Sequence, residues 1–275
     1  MDDLYARRLL TEGHPDFAAR AVETFTHNQD VGEARAEIIR WTVSYLAKVR
    51  ALPAGSRFAV VGCGPRPLTC TQLAGMGFDV TAVEPLPAFV EAAREHVAGA
   101  ACILQGSAER IPLADESQDV VLCESVLEHV ESPRLSLTEM YRVLRRGGAA
   151  WVLTTNKWRF SPRGRNDEYS IPFFNWLPPL LQEAFVFHHL HYDPSLANYS
   201  RRPAVHWFTY AGLCRAGRDV GFSRFYSILD LASPADPRLR GSGLRRALTR
   251  FARRRPLVRA LALTQLGGTI VMVKE

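Results

Sequence analysis

The stretch best able to do chemistry is Val60-Val61-Gly62-Cys63-Gly64-Pro65-Arg66, which completes a short apolar, β-branched run over residues 58–61. Two glycines there let the backbone turn tightly and lie close against a ligand, with the N–H groups of a following helix start facing it. Glu84 stands twenty residues past Gly64, at the end of a second apolar run, Val80-Thr81-Ala82-Val83. A carboxylate in that place can accept both hydroxyl protons of a ribose. Strand, glycine turn, helix, strand and acid in this order specify a nucleoside crevice at the carboxyl ends of parallel strands. A dinucleotide fingerprint would need a third glycine at position 67, where this chain has Pro67, so nicotinamide or flavin dinucleotides are disfavoured.

The elements that must position these residues follow from hydrophobic spacing. Helical periodicity runs through residues 16–50, with Phe17, Ala21 and Phe25, then Ile38, Ile39, Thr42, Tyr45, Leu46 and Val49, and stops at Pro53 and Gly55. After the glycine turn a helix through Leu68 and Leu73 is predicted to end at Gly75 or Gly77. Helices over 87–97 and 135–144, the second closed by Gly147-Gly148, alternate with strands over 102–104, 119–123 and 149–154. The pattern lapses from Asn156 to about Tyr210. It resumes with a helix over 211–220 capped by Thr209, a strand over 222–231, a basic stretch that Pro256 interrupts, and a strand over 269–273. Strands separated by helices imply right-handed crossovers and a parallel sheet covered on both faces. The expectation is an α/β, Rossmann-like fold: a seven-stranded, mostly parallel sheet with N-terminal helices and a long insert after strand 5. The predicted units are a helical segment over 1–56, a core over 57–155 and 211–275, and an insert over 156–210.

Between about residues 55 and 155 the chain resembles the class I S-adenosylmethionine-dependent methyltransferases, in particular the type 11 methyltransferase domain. The resemblance runs through Val61-Gly62-Cys63-Gly64-Pro65, Glu84, Gly106-Ser107-Ala108-Glu109 with Ile111-Pro112-Leu113, Asp119-Val120-Val121, Leu127-Glu128-His129-Val130, and Arg142 to Gly148. It implies S-adenosylmethionine as cofactor, leaving as S-adenosylhomocysteine. By the same resemblance Gly62, Cys63 and Gly64 hold the methionine portion through their backbone, and Glu84, with Pro85 beside it, takes the ribose. Ser107, Ala108 and Glu109 lie at the adenine, and Cys123 and Glu124 line the methionine end. Two positions depart from the family: Val60 stands where an acid is usual, and Ser107 where aspartate is common.

The sulfonium already makes its methyl group electrophilic, so such an enzyme mainly aligns a nucleophile, which can remove about 7–11 kcal/mol of barrier. A base that deprotonates an acceptor hydroxyl adds about 10²–10⁴-fold. His129 is the first candidate, since the resemblance places it facing the crevice; a structural histidine is the alternative reading. The stretch from Cys123 to Val130 is also similar to the quinone-biosynthesis O-methyltransferases, which gather two glutamates and the histidine around magnesium. Glu124, Glu128 and His129 are the corresponding set, but the family's first glutamate falls at Ser125, so no metal is expected. Amine-directed base methyltransferases carry an Asn/Asp-Pro-Pro-aromatic run where Cys123-Glu124-Ser125-Val126 stands, which disfavours that chemistry.

The insert holds 13 of the 27 aromatic residues and four of the eight histidines, His188, His189, His191 and His206. An aromatic cover suits an apolar or ring-bearing acceptor and can meet a sulfonium through cation–π contact; a satellite core or a homodimer contact is the alternative. Trp158, Tyr169 and Tyr210 are the candidate acceptor contacts, and His206 a second candidate base. The spacing of His188, His189 and His191 fits no helix face, which argues against a metal site.

Charge is uneven. Residues 201–275 carry 15 Lys+Arg against 4 Asp+Glu, or +11, so with a net +6 the remainder carries −5. Between Arg238 and Arg259 there are nine arginines and no acid, with Leu244, Leu248 and Phe251 on one helical face. That pattern fits either an interfacial helix on anionic lipid or an amphipathic helix packed on the sheet with its arginines in water. Nucleic acid is disfavoured, because no aromatic residue beyond Phe251 interleaves with the arginines. Cys63, Cys70, Cys102, Cys123 and Cys214 are odd in number and form no C-x-x-C pair, which disfavours a disulfide framework. The acidic start, Met1-Asp2-Asp3, and the lack of an 18-residue apolar run predict a cytoplasmic protein, with peripheral membrane contact through 238–259 as an option. The expected activity is O-methylation of a hydroxyl on a small-molecule or lipid-linked acceptor, such as a natural product, quinone or glycan. An RNA methyltransferase and a cofactor-binding protein without turnover are the alternatives.

Overall fold

The computed structural model describes residues 32–159, 173–185, 204–232, 243–266 and 268–275. Phe17, Ala21, Phe25, Tyr169, His188, His189 and His191 lie outside the described residues. Helix α1 (Gly32–Leu46) leads into β1 (Arg57–Val61), α2 (Leu68–Gly75), β2 (Asp79–Glu84), α3 (Pro87–Val97), β3 (Cys102–Gln105), β4 (Gln118–Glu124), α4 (Pro133–Val143) and β5 (Leu144–Leu153). Then follow a 3-10 turn (Phe174–Trp176), α5 (Pro179–Phe185), α6 (Tyr210–Val220), β6 (Arg224–Ser227), α7 (Ile228–Leu231), α8 (Gly243–Arg254), α9 (Pro256–Leu266) and β7 (Thr269–Val273).

The strands form one seven-stranded sheet in the order β3-β2-β1-β4-β5-β7-β6. The first five pair in parallel, and β7 runs antiparallel to both β5 and β6. Alternate side chains feed two cores, because successive strand residues point to opposite faces. Phe58, Val60, Val120 and Leu122 pack with Ile39, Tyr45, Leu73 and Val90 on one side. Val61, Val121 and Cys123 pack with Leu137, Met140, Leu213 and Phe222 on the other. Burial on both faces explains why β1 and β4 read as continuous apolar runs.

Local signals set the helix ends. Pro133 opens α4 behind Ser132, whose Oγ accepts the Leu135 N–H at 3.3 Å, and Thr209 caps α6 by accepting the Gly212 N–H at 3.0 Å. Gly221 ends α6 at φ 115°.

Three expectations need correction. Gly147 and Gly148 do not close α4, which stops at Val143; β5 already begins at Leu144. Gln118 pairs with Leu144 but Val120 with Ala149, so β5 bulges, and Gly147, at φ 73°, supplies the left-handed turn this requires. The strand expected over 222–231 covers only residues 224–227. Ser227 and Asp230 form a capping box that starts α7: the Ser227 N–H and Oγ–H donate to Asp230 Oδ2 at 2.8 and 2.7 Å. Pro256 separates two helices by opening α9 rather than ending helical structure.

The insert returns to its starting point. Asn156 bridges Phe208, the Lys157 N–H donates to the Phe208 carbonyl at 2.8 Å, and the buried Asn175 amide donates to the carbonyls of Asn156, Lys157 and Arg159. No helix among the described residues is long and apolar enough to cross a membrane.

Candidate functional site

Three parallel strands, β2, β1 and β4, end side by side, and the turns that leave them build the site. Gly62 follows β1 at φ 71° and Gly64 at φ 67°, both in the region glycine favours. The Gly62 N–H donates to the Val83 carbonyl at 2.8 Å, which holds the turn against β2. A Cβ at Gly62 would lie 2.4 Å from Val126 Cγ2, whereas one at Gly64 would meet nothing within 4 Å. The first glycine is needed for packing, and the second opens onto free space. Gly62→Ala therefore combines a left-handed alanine with a clash, and about 2–4 kcal/mol of stability should be lost. Urea titration of Gly62→Ala and of Gly62→Ala with Val126→Ala checks this: the second change should return only the packing share.

Glu84 joins this turn from β2. Its Oε2 accepts the Gly64 N–H at 3.0 Å and its Oε1 the Leu86 N–H at 3.2 Å. The residue is 5% exposed, and burial pushes its carboxyl above the usual glutamate range against the pull of those two N–H donors. Pro85 follows it directly. Gly106 supplies the third wall. A Cβ there would fall 2.6 Å from Pro112 Cδ and 3.1 Å from Val83 Cγ1, so only glycine lets the β3 turn lie against β2. Ser107, half-buried, bridges Arg110, and Ala108 is buried in the α4-side core. Glu109 Oε1 accepts the Ser132 N–H at 2.7 Å.

The end of β4 is more heavily engaged than the sequence suggested. Cys123 is fully buried among apolar neighbours, which pushes its thiol far up, so only its backbone can face a ligand. Cys63 is likewise raised by burial. Glu124 Oε2 pairs with Arg35 at 2.5 Å, and its Oε1 accepts the Trp151 indole N–H at 3.1 Å. Arg35 also donates to Thr69 Oγ1 at 2.9 Å, so this α1 arginine straps the helix after the glycine turn to the end of β4. Sequence reasoning missed Arg35, because an arginine on a distant helix leaves no local signal.

Residues 127–129 form a turn rather than a helix, following Ser125 at φ 55°. The buried Glu128 accepts the Thr154 hydroxyl at 2.7 Å. Glu124 and Glu128 thus face different partners, and among the described residues no group of three His, Cys, Asp or Glu could hold a metal ion. His129 is half-buried on this turn. The segment bearing His206 is sewn to it: the Val205 and His206 N–H groups donate to the Glu128 carbonyl at 2.9 and 3.3 Å, and His206 Nε2 donates to the Val130 carbonyl at 2.9 Å. A carbonyl can only accept, so the His206 proton sits on Nε2. Of the aromatic candidates, Trp158 is half-exposed beneath Lys157 Nζ, 5.8 Å from its ring. Tyr210 instead contacts Cys214 and Arg259 towards the β6 edge, and burial raises its hydroxyl above the usual tyrosine value.

A family model described as a methyltransferase domain matches residues 59–152, the part of the chain that holds Gly62, Glu84 and Glu124. Residues 59–152 thus resemble a methyltransferase domain. Over 98 residues this domain is 40% identical to an uncharacterized methyltransferase of Mycobacterium tuberculosis, covering 35% of this chain and 39% of that one. It is 35% identical over 106 residues to a ubiquinone biosynthesis O-methyltransferase of Sinorhizobium medicae, covering 38% and 42%. The chain thus spans about two fifths of the curated relatives it matches. Among solved structures, a candidate methyltransferase of Haloferax volcanii in complex with its Trm112 activator shares the fold, with a TM-score of 0.52 at 16% identity over 94% of this chain and 98% of that one. A candidate sarcosine dimethylglycine methyltransferase of Galdieria sulphuraria does so at 0.54 and 14%, over 90% and 88%.

The geometry of residues 59–152 fits an adenosine-bearing cofactor. A buried carboxylate with two oxygens, already tied to Gly64, stands beside a glycine whose missing side chain leaves open space.

Proposed function

We propose that the protein transfers a methyl group from S-adenosylmethionine to a hydroxyl of a small-molecule or lipid-linked acceptor. The observation that carries this reading is the hydrogen bond from the Gly64 N–H to Glu84, which unites the glycine turn and the acid in one crevice. When bound, the cofactor supplies an electrophilic methyl on a sulfonium that leaves as a neutral thioether. The backbone of Gly62, Cys63 and Gly64 and the carboxylate of Glu84 hold and orient it. Residues 106–108 border the adenine side, and the end of β4, with Glu124 fixed by Arg35 and Trp151, borders the methionine side.

Methylation of a hydroxyl would release its proton, which a base of this chain would take up. His129 and His206, carried on segments bonded to each other, are the candidates for that role, His206 through Nδ1 because its Nε2 carries the proton. In this reading Trp158, exposed at the start of the insert, borders the acceptor. Support for oxygen as the methylated atom comes from the ubiquinone biosynthesis O-methyltransferases among the relatives. The whole chain, incubated with methyl-labelled cofactor and an extract of small molecules and lipids, should place label in organic-soluble ethers. Label confined to RNA, or none transferred while the cofactor still binds, would overturn the reading.

A further inference from the structure

Among the described residues, ten of the twelve exposed large hydrophobic side chains fall in two segments, 158–185 and 251–266. The second segment is built the wrong way round for a surface helix pair. Two of its arginines reach back to the protein: Arg253, partly exposed, donates to the carbonyls of Leu229 and Ala232, and Arg259 pairs with Asp230 at 2.6 Å through Nη1 and 2.7 Å through Nη2. Two positions along a helix are about 200° apart. Leu257 and Leu261, on either side of Arg259, therefore point away from the protein, as does Phe251 relative to Arg253. Their exposures are 87%, 70% and 49%. An ordinary surface helix buries its apolar stripe and shows its charges; here Arg253 and Arg259 bond to the protein while Phe251, Leu257 and Leu261 stand exposed.

Exposed arginines rim the outward leucines. Arg250, Arg254 and Arg255 are exposed, with the Arg255 guanidinium 5.9 Å from the Phe251 ring. Residues 243–266 contain seven arginines and no acid. The face is tied to the insert, because Asn156 Nδ2 donates to the Thr264 carbonyl at 3.0 Å while Asn175 binds the carbonyls of residues 156, 157 and 159. Trp158, Phe173, Trp176, Leu180, Leu181 and Phe185 are the exposed large apolar side chains described in that neighbouring segment.

We infer that this face docks on a bilayer of anionic lipid, with Leu257, Leu261 and Phe251 entering the acyl boundary and Arg250, Arg254 and Arg255 meeting lipid phosphates. Only an apolar medium bordered by anions satisfies both sets of side chains. A second copy of the chain is a poor occupant, because a two-fold contact would set arginine against arginine with no acid from either side. Nucleic acid would meet the arginines but leave the leucines in water. The inference is independent of the methyl-transfer reading.

The test is sedimentation of the full chain with phosphatidylcholine vesicles, with and without phosphatidylserine. Binding is expected only with phosphatidylserine. It should fall about tenfold or more in Leu257→Asp with Leu261→Asp, and similarly in Arg254→Glu with Arg255→Glu. Both pairs are exposed, so unchanged circular dichroism and melting temperature verify that the fold survives. A tryptophan placed by Leu257→Trp should shift its emission to the blue on anionic vesicles. No sedimentation of the unaltered chain, or equal sedimentation of both variants, overturns the inference. So does a dimer that dissociates on Leu257→Asp with Leu261→Asp, which would assign the face to a second copy.

Discussion

Glu84→Ala is expected to weaken binding of S-adenosylhomocysteine by about 100-fold or more in titration calorimetry. A hydrogen bond to a charged group contributes about 1.5–3 kcal/mol, and the two ribose hydroxyls would each make one, so at least about 3 kcal/mol is at stake; each 1.4 kcal/mol is tenfold. The substitution also strips the Gly64 and Leu86 N–H groups of their acceptor, which loosens the turn itself. Glu84→Gln keeps one acceptor oxygen and should lose less. The unaltered protein should show a matching pH dependence. Only the ionised carboxylate accepts both hydroxyls, and burial raises its pKa, so affinity is full above that raised value and declines as pH falls through it. That decline begins at a higher pH than an exposed glutamate would give, and Glu84→Gln should lack it. Unchanged affinity in Glu84→Ala would remove the proposed crevice altogether.

Glu84 is legible in the sequence because its signal is local. Gly62, Gly64 and Glu84 lie within 23 consecutive residues, and the physics they answer to is a turn and one strand crossing. The two-faced core was legible for the same reason: uninterrupted apolar runs such as 58–61 have one natural home, inside a parallel sheet. What escaped was set across the chain. Arg35 reaches Glu124 over 89 positions, and no helical period marks it out from its neighbours. The bulge in β5 answers to the register of β4, so Gly147-Gly148 looked like a helix stop. Ser227 and Asp230 did carry a readable capping box, but the apolar residues between them matched a strand equally well. Arg253 of α8 depends on carbonyls at 229 and 232 that lack any sequence signature, and Arg259 of α9 on Asp230, 29 positions away.

The same distinction separates the site from the structure beneath it, and Asp119 is where the difference can be measured. The Asp-Val-Val motif invites a functional reading, yet Asp119 opens β4 at the end opposite Glu124, about 16 Å away at strand rise. It is 2% exposed. Its Oδ1 receives Arg50 Nη2 at 2.6 Å and also pairs with Arg145, and its Oδ2 accepts the Arg57 N–H at 2.8 Å. The carboxylate thus pins the residues after α1, the start of β1 and the bulge of β5 to one point. Removing one partner of a buried pair leaves the other charge without compensation, which costs about 3–5 kcal/mol. For a domain of this size that is a melting temperature lower by about 10 °C. Asp119→Ala should show that loss, while Arg145→Ala, whose side chain is 42% exposed, should lose far less because water already screens it. Well below the lowered melting temperature, S-adenosylhomocysteine affinity should be unchanged, since no atom of Asp119 approaches the crevice. A weaker cofactor affinity at full folding would instead mean that the two ends of β4 are coupled, and the division drawn between scaffold and site would fail.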